Sequence, residues 1–454
     1  MKARTAALLV VIACRNAPAD VPAPSTSSSS PVPALTAPAK ESWSEDDYAK
    51  ALARARAEGK PLFVDAWATW CHTCRAMRAY VLSEESLPRG RFVWLSLDVE
   101  RAENEGAYAR LPASVLPTFF VLAPRAEHVL GRWEGAASSA QMRAFLADAE
   151  RAMAPADGGA VEPLLAALAV ADRADTEGRH AEAAKLFGDV LSSAPAAWPR
   201  RPDVLVSRIG ALERAKDYGA CVDLGLASLG ATGTSSSSTD FAATAVECSE
   251  HLDKDPRVRP LQVAVAQRLA RLLPDAEAPL SPDDRSDGYR LLWDVRLRIG
   301  DVKGATDAAN ERLRVIEAAT SKVSEPAIAT LFDGARLETL LFLGRPKDAV
   351  TLLETREKEL PDDYNVPHRL ARAYLEAGRP DDAVLATDRA LARAYGPRKG
   401  LIYGLRADIF VKLGRAADAR AAIAAQLDFY RSLPPGQRHP ALEKAAEERL
   451  ARMR

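Results

Sequence analysis

Apolar and polar positions follow two different periods between residues 41 and 154. Four short apolar runs predict β-strands, and the last two are expected to pair as a hairpin. These runs are PLFVDAW, RFVWLSLDV, PTFFVLA and HVLGRWEG. Helical spacing surrounds them, from an expected N-cap at Ser44 to Gly59, from Cys71 to Glu84, and over SSAQMRAFLADAERAM. The order helix, strand, helix, strand, loop, strand, strand, helix predicts an α/β domain over 41–154.

From residue 160 to residue 454 the strand pattern ends and the spacing becomes helical. A unit recurs there in which a glycine is followed, five positions later, by an alanine. Glycine permits a tight turn between two helices, and alanine lets the two helices approach closely. The unit occurs at Gly178/Ala183, Gly300/Ala305, Gly344/Ala349, Gly378/Ala383 and Gly414/Ala419.

Two of these glycines, Gly344 and Gly378, lie 34 positions apart, and the units resemble tetratricopeptide repeats, which have this period. The resemblance implies an all-α solenoid of about seven helical pairs over 160–434 and a capping helix over 437–454. Such an array would bind an unidentified protein or peptide on its concave surface, and a purely structural spacer is the alternative. The segment GATGTSSSSTD interrupts the pattern and is expected to be a flexible loop.

The first 40 residues have neither pattern. Residues 1–14 combine a basic start with a short apolar run that ends in VIAC at Cys14. This arrangement resembles a bacterial lipoprotein signal with Cys14 as the lipidated residue; an ordinary cleaved signal or a chance N-terminus is the alternative. Residues 15–40 are rich in Pro, Ala and Ser and predict a disordered tether. We therefore expect a lipid-anchored protein of the bacterial cell envelope with its folded body in the periplasm.

The charge balance excludes one class of partner. Lys and Arg number 61 and Asp and Glu number 62, so no long-range field would attract nucleic acid. Hydrophobic residues make up 48% of the chain and aromatic residues only 6%. This composition is sufficient for buried cores and favours closely packed helices.

The five cysteines divide into two pairs and a singleton. Cys71 and Cys74 form a C-x-x-C motif, Cys221 and Cys248 lie far downstream, and Cys14 is left for lipidation. This division suits an oxidising compartment. Neighbouring helices could bring Cys221 and Cys248 within disulfide reach, and two buried free thiols are the alternative.

The segment 41–154 resembles the thioredoxin family through VDAWATWCHTC, VLPTFFVL and WEGAASSAQMRAFL, which follow in the family's order. The resemblance implies a thioredoxin-like fold that exchanges dithiols and disulfides with protein substrates and needs no cofactor. Cys71 is the expected nucleophile, because a helix N-terminus favours thiolate, and Cys74 is the resolving cysteine. Asp65, expected inside the domain beneath Cys74, would take or return its proton.

Further residues of the same motifs have implied roles at the substrate. Trp70 would shield the disulfide, and Pro117 would be a cis proline that presents the backbone of Leu116 to a substrate strand. His72 and Thr73 stand where the family most often has glycine and proline, which is closer to the C-terminal domain of membrane thiol reductases. A histidine there can stabilise the thiolate and make the couple more oxidising, so the direction of electron flow stays open.

The motif CHTC has two rival interpretations. A structural zinc site needs four ligands, and the other histidines form no second half-site, so no metal is expected. A static disulfide over so tight a loop would constrain little chain entropy. The sequence therefore predicts a membrane-anchored protein thiol–disulfide oxidoreductase with a repeat platform. The alternatives are an interaction scaffold whose α/β domain has little turnover, and metal delivery to an envelope oxidase.

Overall fold

The computed structural model describes residues 43–153, 162–321, 323 and 325–453. The predicted signal over 1–14 with Cys14, and the predicted tether over 15–40, lie outside the described residues. Among the described residues, no helix combines the length and apolar character needed to cross a bilayer.

One mixed sheet forms the centre of the α/β domain, with the strand order β1-β3-β2-β4-β5. β2 and β1 pair in parallel with β3, and β4 runs antiparallel to both β2 and β5. The predicted hairpin is therefore confirmed. β2 and β3 are buried along almost their whole length, as expected for strands covered on both faces. The strands are Trp43–Glu45, Leu62–Trp67, Val93–Asp98, Thr118–Leu122 and Val129–Glu134.

Four helices pack against this sheet, and three of them differ from the prediction. One of the three, over Glu105–Arg110, lies in the stretch that was expected to be a loop. Ser44 is not an N-cap: it lies in β1 opposite Leu95, and Asp47 caps α1 by accepting the N–H of Lys50 at 2.9 Å. The backbone around Ser44 pairs with the edge of β3, and the local sequence does not reveal this distant partner. The second helix begins at the predicted place but continues as a π-helical turn over Met77–Val81. The helices are α1 Tyr48–Glu58, α2 His72–Ala76, α3 Glu105–Arg110 and α4 Ser139–Ala152.

The rest of the described chain is an array of seven helical pairs followed by one final helix, as predicted. The first helix of the fifth pair is divided by a 3₁₀ turn over Thr330–Phe332. The helices are α5 Pro163–Thr176, α6 His180–Ser193, α7 Arg201–Arg214, α8 Tyr218–Ser228, α9 Ser236–Glu250, α10 Val258–Leu272, α11 Pro282–Arg298, α12 Val302–Thr320, α13 Pro326–Ala329, α14 Asp333–Phe342, α15 Pro346–Glu359, α16 Asn365–Glu376, α17 Pro380–Arg393, α18 Arg398–Lys412, α19 Ala416–Ser432 and α20 Pro440–Arg452.

The repeated glycine and alanine have the expected places. All five glycines lie in turns between paired helices with φ between 71° and 87°, a conformation that costs glycine little. The five alanines that follow them are fully buried. In the second pair Lys216 adopts the same left-handed conformation, with φ of 60°, and Cys221 takes the buried alanine position.

The prediction of a flexible loop over GATGTSSSSTD is wrong for the second half of this segment. Ser236 begins α9, and Ser236, Ser237 and Ser238 are buried. Thr232 donates to Ser238 at 3.1 Å, and Gln141 of α4 donates to Ser237 at 2.9 Å. Small hydroxyl side chains can be buried when they find such partners, and one of these partners comes from the α/β domain.

The array surrounds the α/β domain. α5 and α7 contact β5, α11 contacts α2, and the turn before α20 contacts α3. Polar contacts follow the whole length of the array. They join Arg132 to Asp175, Gln141 to Ser237, His72 to Asp283, Asp98 to Tyr395 and Glu105 to the N–H of Gly436. The inner surface of the repeats is thus occupied by the protein's own α/β domain.

Candidate redox site

Cys71 and Cys74 are joined as a disulfide at the start of α2. Cys71 is the N-cap residue, and its Sγ accepts the N–H of Cys74 at 3.0 Å. Both cysteines are buried, in one apolar cluster with β2, β3 and β4. In the reduced state the same N–H groups would stabilise negative charge on Cys71, as a helix N-terminus does.

Asp65 lies in β2 and is completely buried. Arg78 of the π-helical turn donates to its Oδ2 at 2.8 Å, and Oδ1 has no hydrogen-bond partner among the described residues. Burial raises the pKa of Asp65, and the nearby Arg78 guanidinium offsets only part of this effect. A raised pKa makes a carboxyl group a better proton acceptor, and this is the direction that the predicted role requires. Arg78 also lies over the ring of Trp67, 3.6 Å from its centroid, and was not identified from the sequence.

The predicted substrate-contacting residues lie beside the disulfide. Trp70 and Leu116 pack against the apolar cluster that contains both cysteines. The Leu116–Pro117 peptide bond is cis, as predicted. The array holds Trp70 in place: Arg398 lies over its ring at 4.6 Å from the centroid.

Glu100 is a further site residue that the sequence analysis missed. It accepts the indole N–H of Trp70 at 2.8 Å and the N–H of Arg398 at 3.4 Å. Burial raises the pKa of Glu100 to about 7, although both hydrogen bonds oppose the shift. Its position just after β3, at the same sheet edge as the end of β2, was the available signal.

His72 is held by two carboxylates of α11. Its Nδ1 lies 3.0 Å from Asp283 Oδ1, and its Nε2 lies 3.8 Å from Asp287 Oδ2. Burial alone would lower the pKa of His72, but Asp287 and Asp283 raise it to about 10. The ring is therefore an imidazolium, so the cation next to Cys71 is maintained by the repeats. The sequence shows that His72 is next to Cys71, but it does not reveal a partner 211 positions away.

The side chains of His72, Asp283 and Asp287 are also close enough to hold a metal ion, with ligand atoms within 4.8 Å of one another. A metal ligand must be a neutral imidazole. With its ring ionised, His72 forms an ion pair with the two carboxylates, and a metal ion at this place would have to displace the ring proton.

Replacing His72 with glutamine is expected to lower the reduction potential of the Cys71/Cys74 couple by about 30 mV or more, a tenfold change in its equilibrium constant. The change removes a cation that stabilises the Cys71 thiolate and leaves Asp283 and Asp287 uncompensated, and both effects disfavour the reduced state. Equilibration with glutathione buffers would measure the shift. His251→Gln, at a ring stacked on Tyr218 in the array, should leave the potential unchanged. An unchanged or higher potential in His72→Gln would contradict this role.

A cavity of about 240 Å³ opens beside the redox pair. We call it the site cavity. Thr73, Val115, Leu116 and the turn at Gly135 line it from the α/β domain. Residues of α7, α9 and α11 line it from the array. Thr73, which the sequence suggested as a tuning residue, thus faces this space between domain and array.

Cys221 and Cys248 are joined as a second disulfide, between α8 and α9. Both are fully buried in the largest apolar cluster of the array. Of the two alternatives left by the sequence, the structure has the bonded pair.

Comparison with known proteins divides the chain at the same place. Residues 43–124 match the family model described as thioredoxin-like, and residues 340–398 match the tetratricopeptide repeat model. The protein is therefore a thioredoxin-like domain followed by a tetratricopeptide-type helical array.

No curated protein matches this chain. Among solved structures, a tetratricopeptide repeat protein from Parabacteroides merdae is 11% identical, with a TM-score of 0.42 over 64% of this chain and 98% of that one. The tetratricopeptide repeat protein TTC0263 from Thermus thermophilus is 18% identical, with a TM-score of 0.29 over 47% of this chain and 98% of that one. The TPR2AB domain of yeast Sti1, in complex with pHSP90, is 12% identical, with a TM-score of 0.24 over 64% and 96%.

Proposed function

We propose that this protein is a thiol–disulfide oxidoreductase that acts on protein substrates by dithiol–disulfide exchange. The observation that supports it most is the Cys71–Cys74 disulfide at the start of α2, with the Cys71 sulfur on a helix N–H. Buried Asp65 supplies a proton acceptor, and Asp283 and Asp287 of the array keep His72 charged. A scaffold without turnover has no need of this combination.

In the reducing direction the Cys71 thiolate attacks a substrate disulfide. An S–S bond forms between Cys71 and one substrate sulfur, and the second substrate sulfur leaves as a thiolate that takes up a proton. Asp65 accepts the proton of Cys74, whose thiolate then attacks Cys71 and releases the first substrate sulfur. Two electrons pass from the protein to the substrate, and another dithiol protein restores them, so no bound cofactor is required. The oxidising direction is the reverse.

We place this activity in the bacterial cell envelope, with Cys14 as the lipid-bearing residue and the folded body in the periplasm. The support is the cysteine usage: of the five cysteines, four form the two disulfides. Disulfides persist in such oxidising compartments. The proposal assigns the lipid to the fifth cysteine, Cys14.

The repeats have a role as a platform in this proposal. Their inner surface already holds the thioredoxin-like domain, so an additional protein or peptide partner would bind the outer helices or the edges of the array. A protein or peptide expected on the concave surface would therefore have to share it with the thioredoxin-like domain.

The reduction potential of Cys71/Cys74, measured on the purified full chain in glutathione or dithiothreitol buffers, tests the proposal. We expect a reversible two-electron transition. A potential near about −270 mV would indicate a reductase, and one near about −120 mV a disulfide donor. Absence of a reversible transition would overturn the enzyme and favour the scaffold. Copper or zinc binding that disappears with either cysteine would instead favour metal delivery.

A further inference from the structure

The site cavity lies between the C-x-x-C segment of the thioredoxin-like domain, through Thr73, and three helices of the array. Leu116, whose backbone is expected to meet the substrate, lies in its wall, as does Thr73. Its volume of about 240 Å³ is below the roughly 300 Å³ at which small-molecule sites begin. The cavity therefore has room for one or two side chains of an extended segment.

The walls of the cavity are strongly acidic. Six of the lining residues are Asp or Glu, and the single basic one is Arg214. Arg214 is already engaged, because its guanidinium donates to Glu134 at 3.0 Å and to Asp175 at 2.5 Å. Among the carboxylates, Glu134 is held by Arg132 and Arg214, and Asp287 is next to His72.

The remaining four carboxylates have no ion-pair partner among the described residues. They are Glu213, Asp240, Glu247 and Asp284. They repel one another: burial, reinforced by Asp284, raises the pKa of Asp240 well above its usual range. Burial and Glu213 likewise raise the pKa of Glu247. A cluster in this state gains favourable interactions when a cation enters it.

One of these groups also lacks a hydrogen bond. Asp240 Oδ2 is buried, and among the described residues no donor meets hydrogen-bond geometry to it, although the nearby Ala136 N–H offsets part of the rise in the pKa of Asp240. It lies against the turn at Gly135, where a Cβ would approach this oxygen to 2.7 Å. Asp240, the turn at Gly135 and Leu116 therefore line the same cavity. A buried unpaired carboxylate oxygen is costly and favours a ligand that donates hydrogen bonds.

We propose that the site cavity binds a lysine or arginine side chain adjacent to the substrate cysteine, so that the repeats select cysteines in cationic segments. The inference rests on the proposed function and deepens it. Lys and Arg donate several hydrogen bonds and carry the complementary charge. The exchange step is unchanged: the Cys71 thiolate attacks the substrate disulfide while the flanking cation occupies the cavity.

Two peptides of equal length test the proposal, each carrying one cysteine as a mixed disulfide with 2-mercaptoethanol. Lysine and arginine flank the cysteine in one peptide, and glutamate and aspartate flank it in the other. We expect the reduced full-length protein to react at least about 10-fold faster with the cationic peptide at low salt, with the ratio falling as ionic strength rises.

Charge-neutralising variants locate the effect. Asp240→Asn combined with Glu247→Gln should reduce the rate ratio to less than about 3-fold. The matched control is Asp223→Asn combined with Asp307→Asn, two exposed carboxylates of α8 and α12 that pair with Arg257 and Lys303. It replaces the same number of acidic side chains in the array and should keep the wild-type ratio. Where a variant does not fold, the wild-type rate ratio and its salt dependence still test whether the protein selects substrates by charge.

The outcomes separate the two proposals. Equal rates for both peptides, or a faster anionic peptide, would overturn the acidic selection site and leave the oxidoreductase intact. Failure of either peptide to oxidise Cys71 and Cys74, in a protein that dithiothreitol had reduced, would overturn the proposed function itself. If the control variant reduced the rate ratio by the same amount, the net charge of the array would explain the selection. That result would also overturn the proposal that the cavity is the binding site.

Discussion

Replacement of Cys71 by serine is expected to reduce thiol–disulfide exchange to on the order of one thousandth or less of the wild-type rate. A serine hydroxyl remains protonated near neutral pH and cannot form the mixed disulfide with the substrate. The Cys71 sulfur is the one that accepts a helix N–H, so Cys74 in its buried position does not replace it. Insulin disulfide reduction, with dithiothreitol as the electron source, would measure the loss.

Two companion variants sharpen this test. Cys74→Ser should still form the first bond and accumulate a mixed disulfide between Cys71 and substrate, visible by mass spectrometry, because only resolution is blocked. The double variant Cys221→Ala/Cys248→Ala removes the array disulfide and should retain exchange while the protein is folded. Wild-type turnover in Cys71→Ser would show that the redox pair has been assigned wrongly.

Replacement of Asp175 by asparagine is expected to lower the free energy of unfolding by about 3 kcal/mol. Asp175 of α5 is buried where the array meets β5. It pairs with Arg132 of β5, with Arg214 at 2.5 Å and with His180 at 2.8 Å. Neutral asparagine leaves these buried cations undercompensated, and that penalty is the source of the effect. Urea unfolding followed by tryptophan fluorescence would measure it.

The pH dependence of this difference gives a second check. Burial alone would raise the pKa of Asp175, but Arg132 and Arg214 lower it below the usual carboxyl range. The stabilisation is therefore present above about pH 4 and is lost as the pH falls through the lowered pKa. The stability gap between wild type and variant should narrow in acid. Glu177→Gln, at an exposed pair with Arg179, should change stability by less than about 1 kcal/mol; a comparable loss there would refute the importance of the buried network.

Much of the fold was predictable because its signals are local. The apolar runs of β2 to β5 are buried on both faces or pair as a hairpin. Strands of these two kinds have an apolar pattern that is visible in the local sequence. The glycine and alanine of each repeat are equally local, since a left-handed turn and a close helix contact need these residue types. In the second pair, Lys216 and Cys221 stand in these two places, so the glycine–alanine spacing does not reveal that pair.

The errors occurred where a distant partner decided the structure. Ser44 has the side chain of a helix cap, yet the edge of β3 drew it into a strand. Ser237 and Ser238 lie in a segment with the composition of a loop, yet hydrogen bonds from Gln141 of the α/β domain and from Thr232 allow them to be buried in a helix. Backbone and hydroxyl groups follow whichever hydrogen-bond partners the tertiary structure offers.

By itself, the sequence determined the two architectures, the position of Cys71 and Cys74 at a helix start, and Asp65 inside the domain. Only the tertiary structure decided that the array closes around the thioredoxin-like domain. It alone places Asp283 and Asp287 beside His72, Arg398 over Trp70, and the carboxylates of α7, α9 and α11 in the cavity that Leu116 also lines. The physical reason is the range of each interaction: periodicity and turn chemistry act over a few residues, whereas charge pairing and burial join residues hundreds of positions apart.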